Sequence, residues 1–455
     1  MPPPSLQKKQ SFSLSYLLLI PFLTIGLVPW LKFRIPFRLV LLLPLLWVLF
    51  NFKSMKAKML PRESEIVFYK WLFFFLITVF MRFLYGLIHG EFFFPGTAEG
   101  VDSFFIVLVF FILHSSVNTG RLKELRTIVL VVLGSLTIFS IMAINGLEVV
   151  EGGARAITAA SGEYTDLKEV FAALSEGVGG FGNIYGIGLL IVPLIVMLFS
   201  VKILMRVFLL FGVALLLMAT IKAGFSILMM GIGFSLVALL LYFMKIRGFP
   251  FTIIIGILII CIVFVASTPS CLRFILPVLD KISELSLDNN YLFRVKALSD
   301  FIQGDDNSYA FLRSQLYWDS IGIFFTAPLT GYYGFSDIHE FSTKIGAHSH
   351  IFDVLGSYGL LGFFVEVAMY VYYFKYVKIM MATCGYERYY GIIGIFFSSY
   401  VLIAFLNPVG GYPMLTDFLL ILPGIVFFAE PRFPRRQVGI GKYPMPSPNL
   451  SKQGN

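Results

Sequence analysis

Five histidines occur in this 455-residue chain, and three of them (His339, His348 and His350) crowd into one short stretch. The local sequence is Gly346-Ala-His348-Ser-His350-Ile-Phe-Asp353-Val-Leu-Gly356-Ser-Tyr358-Gly359-Leu-Leu-Gly362. His348 stands where an apolar helix is expected to begin. A helix N-terminus is electropositive, which disfavours imidazolium and keeps the ring neutral. A neutral imidazole accepts a proton, as a general base must. On that helix His350, Asp353 and Ser357 share a face through steps of three and four. Gly356, Gly359 and Gly362 recur every three residues, a spacing that permits close helix packing. Histidines that merely cap a helix in the headgroup region would give the same local sequence. A metal does not fit this spacing, because His348 and His350 cannot share a helical face and no HExxH pattern supplies a third ligand. Cys261, Cys271 and Cys384 show no CxxC spacing, so neither a zinc site nor a disulfide framework is expected, and no cofactor is implied.

Cations that could hold an anion are few outside the basic clusters described below. Residues 269–348 hold Arg273, Lys281, Arg294, Lys296, Arg313 and Lys344. Arg82 falls inside an apolar run, and Lys222 lies in the short connection Thr220-Ile-Lys-Ala-Gly224. An arginine inside a span usually faces a partner or a wet cavity. Guanidinium binds phosphate bidentately and lysine adds a point charge. Snorkelling to headgroups competes with that role at Arg82 and Lys222, and a solvated loop face competes at Arg294 and Lys296. Arg313 is the best placed of these. It is followed by Tyr317, Trp318 and the turn-like Pro328-Leu-Thr-Gly331-Tyr332-Tyr333-Gly334.

The elements that must carry these residues follow from composition. The chain is 58% hydrophobic and only 13% charged, with 50 Phe. Soluble domains carry about 25% charged residues, so a soluble enzyme and a disordered chain are both excluded. Repeated apolar runs long enough to span a bilayer predict an all-α polytopic integral membrane protein. Hydropathy places about twelve transmembrane helices at 14–31, 35–52, 66–88, 101–117, 127–145, 181–201, 205–220, 225–244, 250–268, 349–374, 389–406 and 413–430. The organisation expected is nine helices in 1–268, a large outer loop at 269–348, three helices in 349–430 and a disordered tail at 431–455. The first run is read as a retained helix, since more spans follow and no cleavage motif closes it. Basic residues cluster at Lys8 and Lys9, Lys53 to Arg62, Arg121 to Arg126, Lys202 and Arg206, Lys245 and Arg247, Lys375 to Arg388, and Arg432 onward. These alternate connections mark the inside, so both termini are expected in the cytoplasm. The net charge of +9 is thereby a matter of topology and implies no nucleic acid. Residues 146–180 form an acidic outer segment. The long outer loop exceeds ordinary connections, and 309–326 has the composition of a short amphipathic helix at the interface. No internal repeat of the transporter kind is visible.

The stretch from Arg313 to Gly362 resembles the O-antigen ligase/polymerase family, the Wzy-type polymerases and their ligase relatives. The residues that carry the likeness are the outer-loop Arg313, the aromatic segment after it, the turn Pro328-Leu-Thr-Gly331-Tyr332-Tyr333-Gly334, and His348-Ser349 through Asp353, Tyr358-Gly359 and Gly362. About 50 residues resemble the family closely, and the rest is similar in architecture. Gly182-Asn183-Ile-Tyr185-Gly186 is a fainter likeness. Where many relatives carry Ser-Arg after a short outer turn, this chain reads Lys222-Ala-Gly-Phe, so Lys222 would supply the charge.

The resemblance implies a metal-independent membrane glycosyltransferase at the outer (periplasmic) face of the bacterial inner membrane. It would polymerise undecaprenyl-pyrophosphate-linked repeat units in lipopolysaccharide or other surface-polysaccharide biosynthesis. In that reading His348 and Arg313 are catalytic. Lys222, Arg294, Arg82, Asp353, His350, Tyr317 and Trp318 bind substrate. Donor, acceptor and lipid bilayer are the expected partners, with a chain-length regulator and a flippase as further protein partners. His-Ser followed by Asp353 and Tyr358-Gly359 resembles the polymerases more than the ligases, which transfer glycan to lipid A–core. A lipid-linked oligosaccharide flippase is the alternative from another class. The missing repeat and the single outsized loop argue against it.

Overall fold

The computed structural model describes residues 14–35, 40, 42–51, 62–88, 108, 111–117, 120–150, 167–243, 309–332, 349–407 and 420–429. Among these residues every element is helical. Five helices are long and apolar enough to cross a membrane: Leu122–Val149, Phe181–Leu198, Ile203–Ala223, His350–Thr383 and the stretch Glu387–Leu406. Shorter apolar helices cover Ser15–Leu27, Leu42–Asn51, Val67–Thr78 and Ile227–Leu239. The predicted spans at 250–268 and most of 101–117, the loop outside 309–332, and the tail from 431 lie outside the described residues.

The Ile203–Ala223 helix shows why such sequences form membrane elements. Leu209, Gly212, Val213, Leu216, Ala219, Thr220 and Ala223 are buried, at the three- and four-residue steps of one helical stripe. Leu204, Val207, Leu210, Phe211 and Met218 on other faces are exposed and equally apolar. A helix apolar on both its packed and its open faces suits a hydrocarbon surround. This helix packs on Leu122–Val149 and Phe181–Leu198, and Phe181–Leu198 also packs on Ser226–Phe243 and Tyr390–Leu406. The His350–Thr383 helix packs on Arg62–Ile88, Tyr309–Thr326 and Tyr390–Leu406.

Polar contacts occur in mid-helix, as where Ser135 Oγ donates to Thr24 Oγ1 at 3.2 Å, and at the helix ends. At the basic end, Arg126 Nε donates to Phe427 O at 2.7 Å, and Arg206 Nε donates to Leu198 O at 2.8 Å. His114 is buried there, with Nδ1 2.7 Å from Tyr376 Oη and Nε2 3.3 Å from Tyr69 Oη. Its ring ties three helical segments together, as expected of a satisfied structural histidine.

One feature departs from the straight span expected at 349–374. The helix runs on to Thr383, and Gly359 within it has φ 63° and ψ −166°, a conformation essentially confined to glycine. His350 Nε2 nevertheless lies 2.7 Å from Glu366 Oε1. A straight helix would separate those two positions by about 24 Å, at ~1.5 Å per residue. The chain therefore doubles back at Gly359, and residues 350–358 lie alongside the start of 360–383.

Candidate functional site

The fold-back is held by the turn that follows the Tyr309–Thr326 helix. Leaving helical geometry at Gly359 strips the next amides of their intrahelical acceptors. The turn supplies replacements: Leu360 N donates to Pro328 O at 2.8 Å and Leu361 N to Leu329 O at 3.1 Å. Gly331, itself at φ 68°, lies backbone to backbone against this break. A Cβ on Gly331 would come within 2.4 Å of Ser357 C and Tyr358 N. The turn and the break are thus one joint made of two glycines, and it docks the loop helix onto the span.

Docking brings predicted residues together. Asp353 is buried and accepts from Ser320 Oγ at 3.0 Å and from Ser349 N at 3.2 Å. Ser349 caps the helix by accepting from Phe352 N at 3.3 Å, and its hydroxyl donates to Ala404 O at 3.2 Å. Asp353 and Ser349 thereby satisfy each other's polar groups at the first turn, in the manner of a capping box. Tyr317 Oη donates to Leu406 O at 2.8 Å. Trp318, the next residue, is 68% exposed. His350 N donates to Asn407 O at 3.2 Å, and Asn407 Nδ2 donates to Tyr185 Oη at 2.8 Å. The Tyr185 ring stacks on Phe181 at 3.8 Å and meets Phe225 at 5.5 Å. Phe225 is three residues beyond Lys222, so Lys222 belongs to the same end of the bundle. There its ammonium is bonded by the Glu148 carboxylate.

This geometry changes the electrostatics inferred for the helix start. The N-terminus at Ser349 abuts the C-terminus of Tyr390–Leu406, whose carbonyls at Ala404 and Asn407 accept from it. Opposed helix ends offset one another's partial charge. With Asp353 and Glu366 beside it, this end is rich in acceptors and is not the open electropositive mouth expected from the sequence. It suits hydroxyl donors.

Not every expected residue is described. His348 and Arg294 lie outside the described residues. Arg82 lies on the Arg62–Ile88 helix and Arg313 on the Tyr309–Thr326 helix, each described in its backbone only. Arg313 is four residues, about one turn, before Tyr317. Gly356 does serve close packing, since a Cβ there would come within 3.1 Å of Ser320 O. Gly359 serves the break instead. Three contributors escaped the sequence reading, Glu366, Ser320 and Asn407, while Tyr185 was noted only within the Gly182–Gly186 likeness. Glu366 carried a usable signal, because an acidic residue inside an apolar run is a functional candidate by default.

The class defined by these elements is an all-helical protein with apolar helices of membrane-crossing length. The chain matches no family model, no curated protein and no solved structure.

Proposed function

We propose that this protein is a metal-independent membrane glycosyltransferase that polymerises undecaprenyl-pyrophosphate-linked repeat units at the periplasmic face of the bacterial inner membrane. In this reading the chain crosses the membrane about twelve times with both termini in the cytoplasm. The observation that carries the proposal is the two-glycine joint, since it ties the segment bearing Arg313 to the segment that begins at His348-Ser349. These are the two halves of the motif on which the resemblance rests, and Arg313 and His348 stand 35 positions apart in the sequence. Lys222 at the same end of the bundle supports it.

The chemistry needs little from the protein. Pyrophosphate is an activated leaving group, so the tasks are to position two sugars, stabilise phosphate charge and accept one proton. His348 takes the proton of the acceptor hydroxyl. Arg313 and Lys222, with Arg82 and Arg294, hold the pyrophosphate. Asp353 and His350 meet sugar hydroxyls, and the exposed Trp318 ring offers a stacking face beside Tyr317.

The test is electrophoresis of surface polysaccharide from a deletion strain complemented with wild type, Arg313→Ala or His348→Ala at matched protein levels. The expected result is a ladder from wild type and core plus a single repeat from each variant. Core without any repeat, with lipid-linked polymer accumulating, would make the protein a ligase. Repeats stranded on the inner face would make it a flippase. A normal ladder from both variants refutes the site.

A further inference from the structure

The contact between His350 and Glu366 spans sixteen positions and exists only because the chain doubles back at Gly359. Both side chains are partly buried, at 22% and 15% exposure, so the pair is sheltered yet reachable. Glu366 sits in an otherwise apolar run, Gly-Phe-Phe-Val-Glu-Val-Ala, where a carboxylate is costly unless it has a partner. The ionised carboxylate accepts only, so the proton it binds is the one on His350 Nε2. That leaves Nδ1 as the working edge of the ring, and among the described residues Nδ1 makes no hydrogen bond. Carboxylates fix imidazole orientation in this way at many metal-binding histidines, where the other ring nitrogen is presented to the ion.

We infer that Glu366 is a positioning residue that holds the His350 ring so that Nδ1 engages a hydroxyl of the acceptor sugar. The inference rests on the glycosyltransferase reading above and names the partner of His350 within it. A sugar hydroxyl fits because it both donates and accepts, and so satisfies Nδ1 whether or not that nitrogen carries a proton. The surroundings agree. The neighbouring groups at this end are acceptors, namely the Asp353 carboxylate and the carbonyls at the end of Tyr390–Leu406. Hydroxyls suit acceptors, whereas phosphate oxygens would be repelled.

The experiment uses the full-length protein in proteoliposomes, with lipid-linked repeat units extracted from the deletion strain as the probe. Wild type, Glu366→Gln, His350→Gln and the double variant are compared. Either single change is expected to raise KM for the lipid-linked repeat roughly tenfold, the loss of about one hydrogen bond. The turnover number at saturation should stay within twofold of wild type. The double variant should resemble the singles, because Glu366 acts through His350. A purely structural clasp would instead lower the folded fraction and the turnover number together, with KM unchanged, and that outcome overturns the inference. So would a Glu366→Gln enzyme with wild-type KM, or additive effects in the double variant. If wild type itself forms no polymer from the repeat, the glycosyltransferase reading falls and this inference falls with it. Polymer from wild type alongside an indifferent Glu366→Gln enzyme removes the inference alone.

Discussion

Replacing Gly359 with alanine should uncouple the loop helix from the span. A Cβ at that position would lie 2.5 Å from both Leu329 C and Leu329 O, and 2.6 Å from Gly331 N. All three are backbone atoms of the docked turn, so no flexible side chain can swing away. The φ of 63° with ψ of −166° is itself a glycine conformation, and holding alanine there costs about 1–3 kcal/mol. The clash is relieved only if the turn lifts off. That would break the bonds from Leu360 N to Pro328 O and from Leu361 N to Leu329 O. Two such bonds contribute about 1 kcal/mol each. The sum is about 4 kcal/mol, a large share of the ~5–15 kcal/mol that holds a typical protein folded.

The natural control is Gly322→Ala, one turn before the end of the same loop helix, where a Cβ would meet nothing within 4 Å. There alanine should stabilise by up to about 1 kcal/mol through helix propensity. Both variants would be purified in detergent and followed by thermal unfolding and by tryptic cleavage after Arg313. Gly359→Ala should melt well below wild type and be cut faster after Arg313 than wild type, while Gly322→Ala should melt at or above wild type and be cut at the wild-type rate. Matching melting and cleavage in the two variants would refute the joint.

Asp353→Asn should lower stability by about 2 kcal/mol in the same melt, because the carboxylate accepts from both Ser320 Oγ and Ser349 N. Tyr376→Phe removes a buried partner of His114 and should cost ~1–2 kcal/mol, and on the proposed function it should leave the polysaccharide ladder intact, since it lies away from the candidate site. Glu148→Gln should change the melting temperature very little, because its ion pair with Lys222 is 33% and 63% exposed and such pairs contribute ~0–1 kcal/mol. Burial pushes the Cys384 thiol up to about 11, in the connection between two spans. Maleimide labelling at Cys384 should therefore be slow at pH 8 and rise about tenfold per pH unit towards 11, as thiolate forms. The raised value favours the neutral thiol, so its contribution to stability is intact below the ordinary thiol range and fades between about 9 and 11.

How much of this was legible in the sequence varied with the length scale of the signal. Apolar runs located the long helices, though Leu122–Val149 extends beyond the expected 127–145 because polar end residues still take helical geometry. Periodicity gave the shared face of His350, Asp353 and Ser357, and Asp353 and Ser357 are buried. Periodicity says which face, however, and never what lies opposite it. Ser320, Tyr185 and Asn407 became partners only through packing across long stretches of chain. Gly359 misled for a related reason. Three glycines at steps of three read as a packing stripe, and nothing local distinguishes the one that turns the chain. Arg313 and His348 stand as candidates from residue type, position and motif, while Glu366 required the fold-back to acquire a meaning.

The two-glycine joint also gives the chain a place where it can be severed. Gly331 and Gly359 touch, so the polypeptide between them forms a loop closed by contact, and residues 333–348 are the only covalent link between the two docked pieces. Cutting a peptide bond there leaves the Tyr309–Thr326 helix on one fragment and the span that receives it on the other. Each fragment keeps the backbone groups that bind its counterpart: the carbonyls of Pro328 and Leu329 on one side, the amides of Leu360 and Leu361 on the other. The protein should therefore survive as two separately made fragments that find each other in the membrane, divided within residues 333–348.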